Sequence, residues 1–272
     1  MANYADDATP YAIESNIETI LNNLGNDTSI LIKWFNDNYF KMNANKCHLL
    51  ITNHDDKVSA IIDGQTIYNS KSVKLLGVCI DNKLDFTEHV SNICKKVSKK
   101  LHALRRVSQY MNTEKLRLIM KAFIESQFGY CPLAWMFHNR ELNNRINFLH
   151  EKALRLVYKD HTLSFEEMLN LDNSFTIHHR NLQKLATEMY KVKHNLSPIF
   201  MKDVFPESTN TYNTRNFPEF DTFNIRTGTE TISFRGPRTW SLVPNEIKSS
   251  TSLPEFKNKI KYWKPEGCMC RL

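Results

Sequence analysis

Residues 87–110 read TEHVSNICKKVSKKLHALRRVSQY and decide how the second part of the chain folds. Apolar side chains recur there every three or four residues, at Val90, Ile93, Val97, Leu101 and Leu104. That spacing places them on one face of an α-helix. Threonine is a residue type that caps helix N-termini, and residue 87 is a threonine. The stretch therefore predicts an amphipathic helix with one buried face.

The opposite face of this helix is dense in positive charge. Residues 91–121 contain nine Lys or Arg side chains and a single acid, Glu114. Six of these cations fall within the predicted helix: Lys95, Lys96, Lys99, Lys100, Arg105 and Arg106. Cations at this density favour phosphate backbones through counterion release and do not read base sequence. An ordinary solvated face has the same composition, so both interpretations stay open at this point.

Helical patterns extend on both sides of this segment and define a region from residue 81 to residue 195. Further helices are predicted from about 112 or 113 to 130, from 141 to 159 and from 177 to 195. The run Ser164-Phe-Glu-Glu predicts a short helix that begins with a capping box between Ser164 and Glu167. Because the connections are short, the region is expected to form a helical bundle.

Residues 1–80 have the pattern of a mixed unit. Apolar residues from Ile13 to Trp34 predict an amphipathic helix, which Gly25 could interrupt. Strands are predicted at 48–52, 58–62, 66–68 and 73–80, with a tight turn at Asp63-Gly64 between the second and third. The coarse fold class is therefore α+β.

Residues 196–272 are predicted to be irregular. Six of the nine prolines lie between residues 198 and 254. Short strands are expected around Ile225 and from Thr231 to Phe234, and a last helix is expected to start near Ser252. The chain ends with Cys268 and Cys270, which we interpret as free thiols.

Composition narrows the class of protein. The 272 residues are 41% hydrophobic, enough for packed cores and for two domains of about 100–150 residues. The net charge is −5 over residues 1–90 and +12 over residues 91–272, an asymmetry that fits an acidic site followed by a polyanion-binding surface. No apolar run suggests a membrane span, and the N-terminus is not a signal peptide. Six scattered cysteines favour an intracellular location, cytoplasmic or nuclear.

Two adjacent aspartates stand near the start of the sequence, in Tyr4-Ala5-Asp6-Asp7. Polymerases use two divalent cations to stabilise the attacking and leaving oxygens, and Mg²⁺ prefers carboxylate ligands. Most isolated Asp-Asp pairs are solvated turns, so the pair alone is weak evidence. Residues 1–3 are predicted to be too short to form a strand before this turn.

Five segments, taken in order, resemble the reverse transcriptases of non-LTR (LINE-type) retrotransposons. The resemblance covers nearly the whole chain. Its segments are Tyr4-Ala-Asp-Asp before a helix, Trp34 to Leu50, Lys74-Leu-Leu-Gly-Val-Cys-Ile-Asp with Leu84 to Val90, Tyr130-Cys-Pro-Leu-Ala-Trp, and Phe234-Arg-Gly-Pro-Arg-Thr-Trp with Leu253-Pro-Glu-Phe-Lys. It implies an RNA-directed DNA polymerase: the end of the palm at 1–80, a mainly helical thumb at 81–195, and an irregular C-terminal region at 196–272.

The resemblance also implies roles for individual residues. Asp6 matches the metal-binding aspartate, and Asp7 is its supporting neighbour. Tyr4 and Ala5 would lie beneath the primer end. Lys46 matches a lysine sometimes assigned as proton donor to pyrophosphate, although a solvated surface lysine is our preferred interpretation.

Nucleic-acid contacts are implied at two further places. Leu76-Gly77 matches the primer-grip turn, where the missing side chain of glycine lets the backbone approach nucleic acid. The cations between Lys95 and Arg106 match a thumb that grips the duplex. The partners implied are an RNA template and an RNA–DNA duplex. The parent enzyme would also use a deoxynucleoside triphosphate with Mg²⁺ or Mn²⁺.

A complete reverse transcriptase has fingers and another metal-binding aspartate before its Asp-Asp turn. We therefore expect a fragment that is inactive alone and binds no metal tightly. The turn that presents Asp6 is expected not to close as a hairpin, and the unit at 1–80 is expected to expose apolar surface. The alternative is a non-catalytic basic module, derived from such an enzyme, that binds nucleic acid.

Overall fold

The computed structural model describes residues 2–4, 7–137, 140–208, 219–221 and 231–265. They form two compact units, residues 1–86 and residues 87–272. The first combines a helix with small antiparallel sheets, and the second is helical, so the α+β class is confirmed. No helix in the described ranges is long and apolar enough to cross a membrane.

The first unit opens with a short hairpin. Strand β1 (Ala2–Tyr4) pairs with β2 (Asp7–Thr9) in antiparallel register, with Tyr4 opposite Asp7. The predictions that no strand precedes the Asp-Asp turn, and that the hairpin cannot close, were therefore wrong. Strands joined by only two residues have little loop entropy to overcome, so three residues are enough to pair.

Helix α1 (Ile17–Asp37) runs without a break through Gly25, so the predicted interruption is absent from it. The Asn16 side chain caps it by accepting a hydrogen bond from the Glu18 N–H at 2.8 Å. The helix contacts strand β3 (Ser59–Ile62). Ile30 and Trp34 of this helix are exposed, which agrees with the prediction that the unit exposes apolar surface.

Two hairpins complete the first unit. Strand β3 pairs with β4 (Gln65–Tyr68) around Asp63-Gly64, where both residues have positive φ, as predicted for this dipeptide. Strands β5 (Ser72–Leu75) and β6 (Val78–Asp81) pair around Leu76-Gly77, with φ of 45° and 88°. The prediction of one strand over 73–80 was wrong, because these two left-handed residues reverse the chain.

Residues 48–52 do not form the predicted strand. Leu49 makes only an isolated bridge to Asn69. The apolar side chains of this segment contribute to core packing and not to strand pairing, since Leu49 and Ile51 are buried. A short 3₁₀ helix, Ala44–Lys46, precedes it.

The two longest helices of the second unit, α2 (Thr87–Ser108) and α6 (Arg140–Tyr158), pack side by side. Three short helices and one π-helical segment lie between them in sequence: α3 (Thr113–Ile119), the π segment (Met120–Glu125), α4 (Ser126–Gly129) and α5 (Pro132–Trp135). The apolar stripe predicted for α2 is buried at all five of its positions. The predicted helix over 112–130 is confirmed, with its middle turn widened to π geometry.

Helices α10 (Ile232–Ser241) and α12 (Leu253–Ile260) pack against α8 (Ile177–Lys193). Helix α7 (Phe165–Leu171) contacts α6, and α11 (Asn245–Lys248) contacts α12. Helix α9 (Met201–Val204) packs against the same core through Met201 and Val204. The capping box predicted for α7 is present, with the Ser164 N–H donating to Glu167 Oε2 at 2.7 Å. Tyr190, Trp240 and Phe256 stack in the core between α8, α10 and α12.

Residues 231–234 were predicted as a strand, and this was wrong because Ile232 begins a helix. The buried residues of α10 include Phe234, Pro237 and Trp240, which are three residues apart, and α10 contacts α8. A three-to-four-residue spacing of this kind is helical rather than alternating. The strand predicted around Ile225 and the cysteines at 268 and 270 lie outside the described residues.

Candidate nucleic-acid interface

The exposed side of α2 carries a line of cations, which we call the basic face. At about 100° of rotation per residue, Lys95, Lys99 and Arg106 fall within about 40° of one another, opposite the buried stripe. Lys96 and Arg105 flank them, and all five side chains are exposed. The helical rise puts Lys95 about 6 Å from Lys99, and Lys99 about 10 Å from Arg106, along the axis. The basic face is therefore about 16 Å long.

The five cations of the basic face do not hold the fold together. Across the ranges that the structure describes, none of them forms an ion pair with a carboxylate. Arg117, a neighbour in the same basic stretch, behaves differently. Its Nε donates to Asp172 Oδ1 at 2.6 Å, and its Nη2 donates to the Asp172 carbonyl at 2.6 Å. The predicted cations of α2 are thus left for another anion, whereas Arg117 is already neutralised.

Lys100 lies at the edge of the basic face and is half-buried. Its ammonium group is 6.0 Å from the ring centroid of Phe123, which is 58% exposed on the π segment. Lys121, on the same segment, is also exposed. An exposed aromatic ring beside cations is an arrangement that nucleic-acid surfaces use, because the ring can contact bases or sugars.

The π segment next to α2 is fixed by a buried ion pair. Arg180 of α8 reaches Glu125 through two contacts, Nη1 to Oε2 at 2.6 Å and Nη2 to Oε1 at 3.1 Å. His150 Nε2 lies 3.3 Å from Glu125 Oε1, and the imidazole is fully buried. Burial by itself would raise the pKa of Glu125, but the contacts with His150 and Arg180 outweigh it and lower that pKa to about 2. Burial lowers the pKa of His150.

The Tyr-Ala-Asp-Asp residues are only partly described. Tyr4 and Asp7 are exposed and face each other across the β1–β2 hairpin. Ala5 and Asp6 lie outside the described residues. Among described side chains, no three His, Cys, Asp or Glu residues are grouped to hold a metal ion. Of the two aspartates, the described part of the chain contains Asp7, and one carboxylate does not define a magnesium site.

Two other predicted sites belong to the first unit. Lys46 ends the 3₁₀ helix and is exposed, and among the described residues it forms no ion pair with Asp7. This matches a surface lysine. Leu76 and Gly77 form the turn of the β5–β6 hairpin, with Leu76 43% exposed.

Sequence reasoning missed a group of residues on α6. Arg145, Phe148 and Lys152 are exposed along one line of that helix, and Arg145 contacts Ser91 of α2. The seven-residue interval between Arg145 and Lys152 was visible in the sequence as two helical turns. The neighbouring position of α2 was not visible, because the contact joins residues 54 apart.

Comparisons of the chain with protein-family models, with curated proteins and with solved structures found no match.

Proposed function

We propose that the chain is part of an RNA-directed DNA polymerase of the retrotransposon reverse-transcriptase type, and that the basic face of α2 holds the backbone of its RNA–DNA duplex. One observation carries the binding part of this proposal. Lys95, Lys96, Lys99, Arg105 and Arg106 are exposed together on a rigid helix, and within the described ranges none of them is neutralised by a carboxylate.

A surface of this kind binds phosphates through counterion release. Each neutralised phosphate of a duplex contributes about 0.9 to the slope of log affinity against log salt concentration. Five cations would therefore give a slope of up to about −4.5 and an affinity that depends little on base sequence. A polymerase needs this behaviour in its duplex-holding region, because the sequence of the template changes at every step.

The polymerase part of the proposal is supported by the five motif resemblances and their order along the chain. The hairpin that brings Tyr4 opposite Asp7, and the tight turn at Leu76-Gly77, are both compatible with those motifs. Mg²⁺ or Mn²⁺ and a deoxynucleoside triphosphate belong to the parent activity. In that setting Asp6 and Asp7 would bind the cation.

A second candidate is a non-catalytic module that binds duplex nucleic acid. The packing of the second unit favours it. The largest fully buried side chains, including Trp135, Tyr190 and Trp240, all belong to that unit. The basic face is thus supported by a core of its own, and holding a duplex needs no residue of the Asp-Asp turn. Template-dependent primer extension by the chain would favour the polymerase, and duplex binding without extension would favour the module.

Charge reversal tests the binding proposal. The variant Lys95→Glu/Lys99→Glu should lose at least about 60-fold in affinity for an RNA–DNA duplex at 0.1 M salt, with a salt slope smaller by about 1.8. Fluorescence anisotropy with two duplexes of unrelated sequence measures both quantities. The control Lys202→Glu/Lys257→Glu makes the same charge change at exposed positions of α9 and α12. Equal losses in the two variants would show that net charge, and not the basic face, controls binding.

A further inference from the structure

A second row of exposed groups runs beside the basic face on helix α6. Arg145 and Lys152 are two helical turns apart and therefore project along one line. Phe148 lies between them and is 54% exposed. The ammonium group of Lys152 sits 4.1 Å from the centroid of the Phe148 ring, a cation–π contact that holds the charge in position.

Two hydrogen bonds fix how this row lies relative to α2. Near the N-terminal ends, Arg145 Nη1 donates to Ser91 Oγ at 3.2 Å. Just beyond the C-terminal ends, Lys159 Nζ donates to the Met111 carbonyl at 3.4 Å. Helices α2 and α6 consequently run in the same direction and in contact. Because Arg145 is level with Ser91, the Arg145–Lys152 row lies beside about residues 91–98 of α2 and flanks the Lys95 end of the basic face. Packed helix axes are about 8–10 Å apart, so the two rows are separated by roughly that distance or more.

We infer that Arg145, Phe148 and Lys152 form a second line of backbone contacts, and that the two rows bind the two strands of one duplex. This inference rests on the proposed function of the basic face. The two strands of a duplex line opposite sides of each groove, and in B-form DNA the grooves are about 6–12 Å wide, so two parallel rows of cations can each meet the phosphates of a different strand. A single strand presents one line of phosphates and can follow only one row.

The experiment compares an RNA–DNA hybrid of about 12 base pairs with its RNA strand alone, both binding to the full chain. The variant Arg145→Gln/Lys152→Gln removes two cations from α6 and keeps polar side chains of similar length. It should weaken binding to the hybrid by between about 10-fold and 60-fold at 0.1 M salt, and reduce the salt slope by about 1.8. Binding to the single strand should change by less than about twofold. The control Lys202→Gln/Lys257→Gln should leave both probes unaffected.

Each other outcome is decisive. If the α6 variant binds the hybrid like wild type while Lys95→Glu/Lys99→Glu does not, the second row is refuted and the basic face stands. If the α6 variant loses affinity equally for both probes, the assignment of one row to each strand is refuted. If wild type binds neither probe at low salt, the proposed function itself fails, and the inference fails with it. Because Arg145 and Lys152 are exposed, unchanged thermal melting of the variant confirms that its fold is intact.

Discussion

Replacing Arg180 by methionine should destabilise the second unit strongly. The guanidinium makes two contacts with Glu125, at 2.6 and 3.1 Å, and the Glu125 side chain is only 10% exposed. Methionine fills similar volume but leaves the carboxylate buried without its cation. Breaking a buried pair from one side costs about 3–5 kcal/mol of unfolding free energy, because the remaining charge is uncompensated.

The titration of Glu125 gives an independent magnitude. Its pKa is lowered from 4.5 to about 2, even though burial opposes this shift. A lowered folded-state pKa means that the unfolded chain takes up protons first as the pH falls. The stabilisation is therefore complete above about pH 4.5 and is lost as the pH falls towards 2. At about 1.4 kcal/mol for each pKa unit, the shift corresponds to about 3 kcal/mol for the contacts with His150 and Arg180 together.

Urea unfolding at pH 7, followed by circular dichroism, measures the effect in Arg180→Met, in Glu125→Gln and in the double variant. The double variant should be more stable than Arg180→Met, because the second change removes the unpaired charge. The reasoning would be refuted if Arg180→Met cost less than about 1 kcal/mol. It would also be refuted if the double variant were no more stable than Arg180→Met.

Two further predictions concern packing and acid stability. A Cβ added at Gly236 would lie 2.9 Å from Met189 Sδ, so Gly236→Ala should lower the unfolding free energy by about 1–3 kcal/mol. Gly25 has open space around it inside α1, so Gly25→Ala should raise the unfolding free energy by up to about 1 kcal/mol in the same melting experiment. A change of the same sign in both variants would contradict this reasoning. Since burial lowers the pKa of His150, against the opposing effect of Glu125, stability should decline as the pH falls below about 6.5. The slope of melting temperature between pH 7 and 5.5 should be shallower in His150→Gln, and an equal slope in both proteins would contradict the assignment.

The parts of the fold that follow local rules were predictable from the sequence. The stripe from Val90 to Leu104 needs only the helical period to define a buried face. The capping box of Ser164 and Glu167 closes within a single turn. Asp63-Gly64 specifies its own turn, because both residues accept positive φ at low cost. Each of these features depends on residues that are neighbours in the chain, so no knowledge of the tertiary structure is required.

Two of the mispredicted segments were missed for different reasons. Residues 73–80 contain a local turn signal at Gly77, but the period of the apolar residues favoured one strand, and a leucine at position 76 does not by itself indicate φ of 45°. A leucine adopts this backbone only because the pairing of β5 with β6 compensates for it. Residues 48–52 are apolar because their side chains pack in the interior. A short apolar run looks the same in sequence whether it forms a buried strand or a buried segment without strand pairing. Tertiary context decided the second case, because Leu49 bridges to Asn69, twenty residues further along the chain.

The candidate interface also depends on tertiary contacts, because the charge of a sequence segment alone does not show which of its cations are free to bind a polyanion. Arg117 and the cations of α2 lie in one basic stretch, yet Arg117 is neutralised by Asp172, 55 residues further along. Arg180 and Lys193 of α8 likewise bind carboxylates, those of Glu125 on the π segment and of Glu219. A net charge of +12 over residues 91–272 therefore overstates what a polyanion can contact. The cations that can contact a polyanion are those that form no ion pair within the helical bundle. In α2 and α6 these cations lie on adjacent exposed lines.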